Sequence, residues 1–413
     1  MAEKKQLHLI GLAPDRQWLA PAALQLIEEA DVLAGADRLL GLFQRPGRKL
    51  PLTCPLQPWL RELKRLQEEG LKVVVLTSGD PNYFGLARSL LEVIDKTWVT
   101  IIPSTTIVQE AFARLRVSWQ RTEVVSLHGR DGMTGLWSAL YRAGHFFSGS
   151  GYLAVYTDPE NTPSVIAKRL LGRGQKNWRM LVFEDLGSRD ERLTSWSLFE
   201  AKLRLFSPLN LVVLECLKRP EPISLGMPES VYVHEAGLIT KREIRVVTLG
   251  LLELQPFHTF WDLGAGSGSI SIEAAALLPH GSIWAVEKSP LRSGQIAANR
   301  AYFGATQVEI IEDEALSAID HLPAPDRVFI GGGGHQIDEI IKAARARLKP
   351  GGFMAANVVS FESLHLAAAA MTEAGLTLSI TQIQADRSEI LAGTGNLYLK
   401  PLNQVWIVRG ELH

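Results

Sequence analysis

The sequence predicts two α/β domains in tandem. Three observations carry this. The chain has 413 residues, and at ~150 residues per domain that leaves room for two or three. Short β-type runs alternate with helical patterns along its whole length, as in α/β folds. Between the halves, "KRPEPISLGMPE" (Lys218–Glu229) carries three prolines and no helical or strand period, so it reads as a linker. The expected domains are 1–219 and 220–413.

Composition narrows the class. Hydrophobic residues make up 46% and charged residues 21%, an ordinary globular balance. The net charge of −1 gives no bulk case for a nucleic-acid or membrane partner. Cys54 and Cys216 have neither metal-ligand spacing nor a disulfide pattern, so no metal is expected and a reducing compartment is. The start "MAEKKQLHLIGL" lacks the apolar stretch of a signal peptide, and no run reaches the ~18 residues of a membrane span. A cytoplasmic protein is expected.

In the first half, strand patterns end at "LHLIG", "KVVVLTSGD", "WVTIIPS" and "EVVSLHG", followed by "YLAVYTD", "WRMLVFED" and "NLVVLEC". Most end in Gly, Ser or Asp. Open α/β sheets place ligands at such carboxyl ends.

After the linker, "LITKREIRVVTLGLLEL" has helical spacing with Thr240 as a candidate N-cap. Seven strand candidates follow, near Phe260, Trp284, Glu309, Val328, Met354, Leu378 and Trp406. Ser289-Pro290 marks a helix start, a cap followed by proline at the first helical position. No internal repeat relates the two halves.

The strongest motif is "FWDLGAGSGS". It is an apolar strand, a glycine-rich turn and then a helix rich in Ala. Gly264, Gly266 and Gly268 let the backbone turn tightly and approach a ligand. About twenty residues on, a second strand ends in Glu287, an acid suited to the hydroxyls of a ribose. The spacing is G-x-G-x-G rather than the G-x-G-x-x-G of a dinucleotide fold. Asp262 would repel a pyrophosphate but suits an ammonium or sulfonium group. These features favour S-adenosylmethionine over NAD, with a plain strand–helix turn as the bland alternative. The candidate cofactor residues here are Asp262, Gly264, Ala265, Gly266, Gly268, Glu287, Asp313 and Glu314.

The run from "ITKREIR" through "FWDLGAGSGSISIEAA", "AVEKS" and "PDRVFIGGGG" resembles the precorrin/cobalt-precorrin C15-methyltransferases and decarboxylases of cobalamin biosynthesis. The resemblance implies a class I, Rossmann-like methyltransferase with a seven-stranded sheet. It also implies that "FIGGGG", with Gly332 and Gly333, floors the site beside the methyl group, and that Lys241 and Arg242 lie next to that floor. A corrin precursor carries many carboxylates, which Lys and Arg pair with.

In the first half, "LIGLAPD", "SGDPNYFG", "PSTTIVQEAFARL", "SLHGR", "YTDPENTPSVIAKRL" and "EDLGSRDERL" together resemble the tetrapyrrole methylase family, the precorrin C5-methyltransferases in particular. That implies two α/β subdomains holding S-adenosylmethionine between them. Gly11 and Pro14 would belong to the first loop, Asp80 and Pro81 to the second, and Ser104, Thr105 and Thr106 to the third. His128 and Arg130 would face substrate carboxylates. The first loop departs from the family's Gly-x-Gly-Pro-Gly. Ala13 and Asp15 stand where glycines are common and narrow the backbone's options.

Taken together the chain resembles a fusion of these two enzymes. The implied activity is methylation of a precorrin at C5 and C15 with loss of carbon dioxide from the ring C acetate. Two cofactor sites per chain, a tetrapyrrole substrate, a homo-oligomer, and neither nucleic acid nor membrane as partner complete the expectation. Two rivals stand beside it. An RNA methyltransferase would carry a basic stripe with interleaved aromatics, which the neutral charge opposes. A first half serving only as a binding or scaffold module would explain Ala13 and Asp15.

Overall fold

The computed structural model describes residues 6–13, 19–44, 47–128, 132–146, 151–235, 237–332, 334–390 and 395–413. Three α/β layers follow one another along the chain.

The first sheet contains β1 (Leu7–Leu12), β2 (Val32–Gly35), β3 (Arg48–Pro51), β4 (Val73–Ser78) and β5 (Val99–Ile102). Its order is β3-β2-β4-β1-β5, all parallel. Val73, Val75, Leu7 and Leu9 are buried on one face, and Val74, Leu76, Ile10 and Leu33 on the other. A sheet covered on both faces needs such continuous apolar runs.

The second sheet contains β6 (Thr122–Ser126), β7 (Tyr152–Tyr156), β8 (Trp178–Glu184), β9 (Arg192–Ser197) and β10 (Asn210–Cys216), in the order β6-β7-β10-β8-β9. Only β6 and β7 are parallel. The strands β2, β3 and β9 are additions to the seven expected in this half.

The third sheet contains β11 (Thr259–Leu263), β12 (Ser282–Val286), β13 (Val308–Ile311), β14 (Arg327–Ile330), β15 (Phe353–Val358), β16 (Thr377–Ile383) and, further on, β19 (Val405–Glu411). Its seven strands run β13-β12-β11-β14-β15-β19-β16, with only β19 antiparallel to its neighbours. All seven expected strands are present. The order reverses direction between β11 and β14, the point where open α/β sheets bind ligands. Between β16 and β19 lies an outlying hairpin, β17 (Asp386–Ile390) and β18 (Leu397–Pro401).

Helix Arg242–Leu251 begins one residue later than the sequence suggests. Lys241, not Thr240, is its N-cap. The Thr240 carbonyl accepts a hydrogen bond from the Arg245 guanidinium. Helix Pro290–Phe303 starts as expected, with Ser289 as N-cap and proline in the first turn.

Lys218–Glu229 is stitched down rather than free. Glu221 N–H donates to the Tyr302 carbonyl at 3.4 Å. Gly226 and Met227 N–H donate to Glu273 at 2.9 and 3.1 Å. The second and third layers also touch directly. Arg173 donates to the carbonyls of Thr306 (2.7 Å) and Val308 (3.1 Å), pairs with Glu309, and lies 3.9 Å over the Trp137 ring. Arg142 donates to the Pro279 carbonyl at 2.9 Å, and the Thr306 hydroxyl to that of Trp137 at 2.6 Å. No helix among the described residues is long and apolar enough to cross a membrane.

Candidate functional site

A cavity of ≈ 850 Å³ opens at the carboxyl ends of β11, β12 and β14. The turn after β11 forms its base. Gly264, Gly266 and Gly268 have φ of 75°, 58° and 78°, the left-handed region that glycine tolerates. A Cβ on Gly266 would meet no atom within 4 Å, so this backbone faces open space. A Cβ on Gly264 would stand 3.0 Å from the Gly332 nitrogen, so the turn and the glycine floor after β14 lie in contact.

Glu287 at the end of β12 lines the cavity with Lys288, Asp313 and Glu314. Its Oε2 accepts the Gly266 N–H at 2.9 Å and its Oε1 the Ser289 N–H at 3.0 Å. Each carboxylate oxygen keeps a lone pair for a ligand hydroxyl. Lys241 enters the same cavity from the N-cap of its helix, and its Nζ donates to the Gly237 carbonyl at 3.4 Å. Lys241, Gly264, Ala265, Gly266, Glu287, Asp313, Glu314 and Gly332 are therefore brought together. Gly333 lies outside the described residues.

Two motif residues stand elsewhere. Gly268 caps helix Ser269–Leu277, where a Cβ would press within 3.0 Å of Ile296, so this glycine serves helix packing. Asp262 was expected to face the cofactor's cationic end, but it does not line the cavity. Its side chain is wholly buried, with Oδ2 accepting from the Ser271 hydroxyl at 2.5 Å and Oδ1 unpartnered. Burial pushes its carboxyl up to about 7, against the hydrogen bonds from Ser271.

The sequence reading missed part of the far wall: Asn357, Pro401, Leu402 and Asn403. Asn357 is held by Thr248, its Nδ2 donating to the hydroxyl at 3.0 Å. The strand-end position of Asn357 was a usable signal. Pro401–Asn403 gave none.

In the first half, the end of β1 meets the loops after β4 and β5. A Cβ on Gly11 would lie 2.2 Å from the Gly79 carbonyl oxygen, 2.9 Å from Pro81 Cδ and 3.1 Å from Ser104 Cβ. Thr106 caps helix Ile107–Leu115 in a reciprocal box with Gln109, and Thr105 donates to Glu110 at 3.0 Å. Asp80 accepts the Asn82 N–H at 2.9 Å, fixing the turn after β4. Gly11, near the end of β1, thus lies against the loops that carry Asp80 and Pro81 and Ser104–Thr106. Pro14 and Arg130 lie outside the described residues.

His128 follows β6, its Nδ1 3.1 Å from the Ser126 hydroxyl. Asp158, after β7, was not singled out from the sequence. Burial would raise its carboxyl, but hydrogen bonds from Asn161 and Glu160, with His128 nearby, hold it below the usual range. Tyr83 and Phe84 after β4 reach across to Tyr156 at the end of β7, with centroids of Phe84 and Tyr156 5.5 Å apart. This joins the first sheet to the second. Among the described residues no group of His, Cys, Asp and Glu could hold a metal ion.

Comparisons with known proteins agree with both halves. The family described as tetrapyrrole (corrin/porphyrin) methylases matches residues 6–202, and that described as the precorrin methyltransferase domain matches residues 230–408. A Sinorhizobium sp. protein named precorrin-6Y C(5,15)-methyltransferase [decarboxylating] is 34% identical over 86% of this chain and 84% of its own. A Mycobacterium tuberculosis protein of the same name is 30% identical over 82% and 83%. A Pyrobaculum aerophilum protein, named probable cobalt-precorrin-6B C(15)-methyltransferase (decarboxylating), is 35% identical over 44% of this chain and 94% of its own. With two family matches in tandem and full-length relatives sharing both halves, the chain belongs to the precorrin-6Y C(5,15)-methyltransferase (decarboxylating) family.

Proposed function

We propose that the chain uses S-adenosyl-L-methionine to methylate a precorrin at C5 and C15 and removes carbon dioxide from the ring C acetate, a step in cobalamin biosynthesis. Residues 1–219 act at C5 and residues 220–413 at C15, with one cofactor site in each. The observation that carries this is the single cavity holding Gly264–Gly266, Glu287, Gly332 and Lys241 together.

The residues fit the cofactor. Gly266 leaves its side of the cavity open, and Glu287 offers acceptors to a ribose. When bound, S-adenosylmethionine supplies an already activated methyl group. The electron-rich carbons of a reduced tetrapyrrole supply the nucleophile. What remains for the protein is alignment, which removes an entropic barrier. Gly332 leaves room beside the reacting carbon for a broad macrocycle, and Lys241 pairs with its carboxylates. In the first half, Gly11, Asp80, Pro81 and Ser104–Thr106 form the cofactor cleft, and His128 faces the substrate. The protein acts in the cytoplasm. It does so as a homo-oligomer, and exposed Ile390, Leu397 and Leu399 on the hairpin support that association.

The test is product mass from a purified candidate macrocycle and a labelled methyl donor, with calorimetric titration of S-adenosylhomocysteine. Two labelled methyls, loss of one carbon dioxide and two equivalents bound are expected. One equivalent, with no methyl at C5, would overturn the two-site reading and favour a scaffold role for the first half.

A further inference from the structure

The two walls of the C-terminal cavity come from distant parts of the chain. One is the entry to helix Arg242–Leu251, with Thr240 and Lys241. The other is Pro401–Asn403, the last residue of β18 and the two after it. Arg387 on β17 joins them. Its Nε donates to Glu243 Oε1 at 2.9 Å and its Nη2 to Glu243 Oε2 at 2.6 Å. The same guanidinium donates to Glu229 Oε1 at 2.7 Å and Oε2 at 3.2 Å.

Glu229 Oε1 also accepts the backbone N–H of Arg242 at 3.0 Å, so the grip falls on the residue directly after Lys241. On the hairpin, Arg387 pairs with Lys400 and Asp386 with Pro401, so the second wall begins one residue away.

An arginine near a site for a polycarboxylate could instead receive a substrate carboxylate. The geometry opposes that role. A guanidinium has five N–H donors, and these bonds engage four of them. Its partners are firmly ionised. Arg387's bonds hold the Glu243 carboxyl at about 2, and they hold Glu229 at about 2 against the opposing effect of burial. The planar fork meets two carboxylates at once, which a lysine cannot do.

We propose that Arg387 is a positioning residue for the C15 reaction: by tying Glu229 and Glu243 to the β17–β18 hairpin, it sets the cavity mouth between Lys241 and Pro401–Asn403 and so the seating of the macrocycle. This rests on the function proposed above for that cavity.

The test uses the full chain with Arg387→Ala, Arg387→Lys and the triple variant Arg387→Ala/Glu229→Gln/Glu243→Gln. All three should raise KM for C15 methylation about tenfold with kcat changed less than about twofold. C5 methylation and affinity for S-adenosylhomocysteine should stay unchanged. The triple variant removes the excess negative charge that Arg387→Ala leaves, without restoring the tie, so recovery of KM in it would overturn positioning in favour of charge alone. Unchanged KM in Arg387→Ala, or joint loss of C5 and C15 methylation, would equally overturn it. Hydrogen exchange gives a readout independent of activity: residues 237–246 and 397–403 should exchange faster in Arg387→Ala, and unchanged exchange there rejects the tie. If the wild type transfers no methyl to C15, the functional reading fails, while hydrogen exchange still decides whether the tie exists.

Discussion

A single methyl group on Gly11 would collide with the Gly79 carbonyl oxygen at 2.2 Å, and that oxygen belongs to backbone that cannot rotate away. Gly11→Ala should therefore pry the end of β1 from the loop after β4. The expected result is a fall of at least tenfold, on the order of a lost alignment, in C5 methylation, with C15 methylation retained. Locating the label in the product checks both. Gly11 was legible because a glycine at a strand end has a local cause. Asp262 was legible as a motif residue but not in its role. Whether its carboxylate meets solvent, ligand or Ser271 depends on packing that no spacing reveals. Arg387 was not legible at all, since its partners Glu229 and Glu243 lie more than 140 positions away.

At the scale of elements, strands with a long apolar run or alternation were readable, and short or polar ones were not. Strands of the third sheet carry apolar runs or, in β16, an apolar alternation, whereas the missed β2 and β3 are only four residues long and β17 is almost wholly polar. Helix Ser269–Leu277 hides a further feature in plain sight. The sequence "SISIEAAAL" holds one acid, Glu273, and it is fully buried. It accepts from Arg245 Nε at 2.8 Å and Tyr232 Oη at 3.0 Å as well as from the linker. Helix Arg242–Leu251 is therefore joined to helix Ser269–Leu277 through a buried ion pair. Glu273→Ala would leave the Arg245 guanidinium buried without its counter-charge. A loss of about 3–5 kcal/mol is expected, read as a lower urea midpoint of the C-terminal unit. Glu273→Gln, which keeps an acceptor, should lose less.

For the whole molecule, the contact between the second and third layers changes what the linker means. Its composition suggests a flexible joint, yet Pro220 lies where a Cβ on Gly304 would meet it at 2.7 Å. Arg173 spans from Trp137 to Glu309 on the far side. A protease site inserted at the exposed residues Glu221–Pro222 should yield a nicked chain that still elutes at intact mass in size exclusion. Adding Arg173→Ala should let the pieces separate, because it removes the ion pair and two bonds to carbonyls together. Separation of the nicked wild type at micromolar concentration would refute a fixed interface.

The place of β19 bears on how the protein is made. It comes last among the strands yet lies between β15 and β16 in the third sheet. The sheets of the first half are complete once β10 has been synthesised, about 200 residues earlier. At roughly 5–20 residues per second that is about 10–40 s on the ribosome. Within that interval the surface around Trp137 and Arg173 stays uncovered until Thr306–Glu309 have been made, and β16, once made, has no partner strand until β19 follows about 20 residues later. The first half thus waits as a finished template while the third sheet, which β19 completes, is still being made.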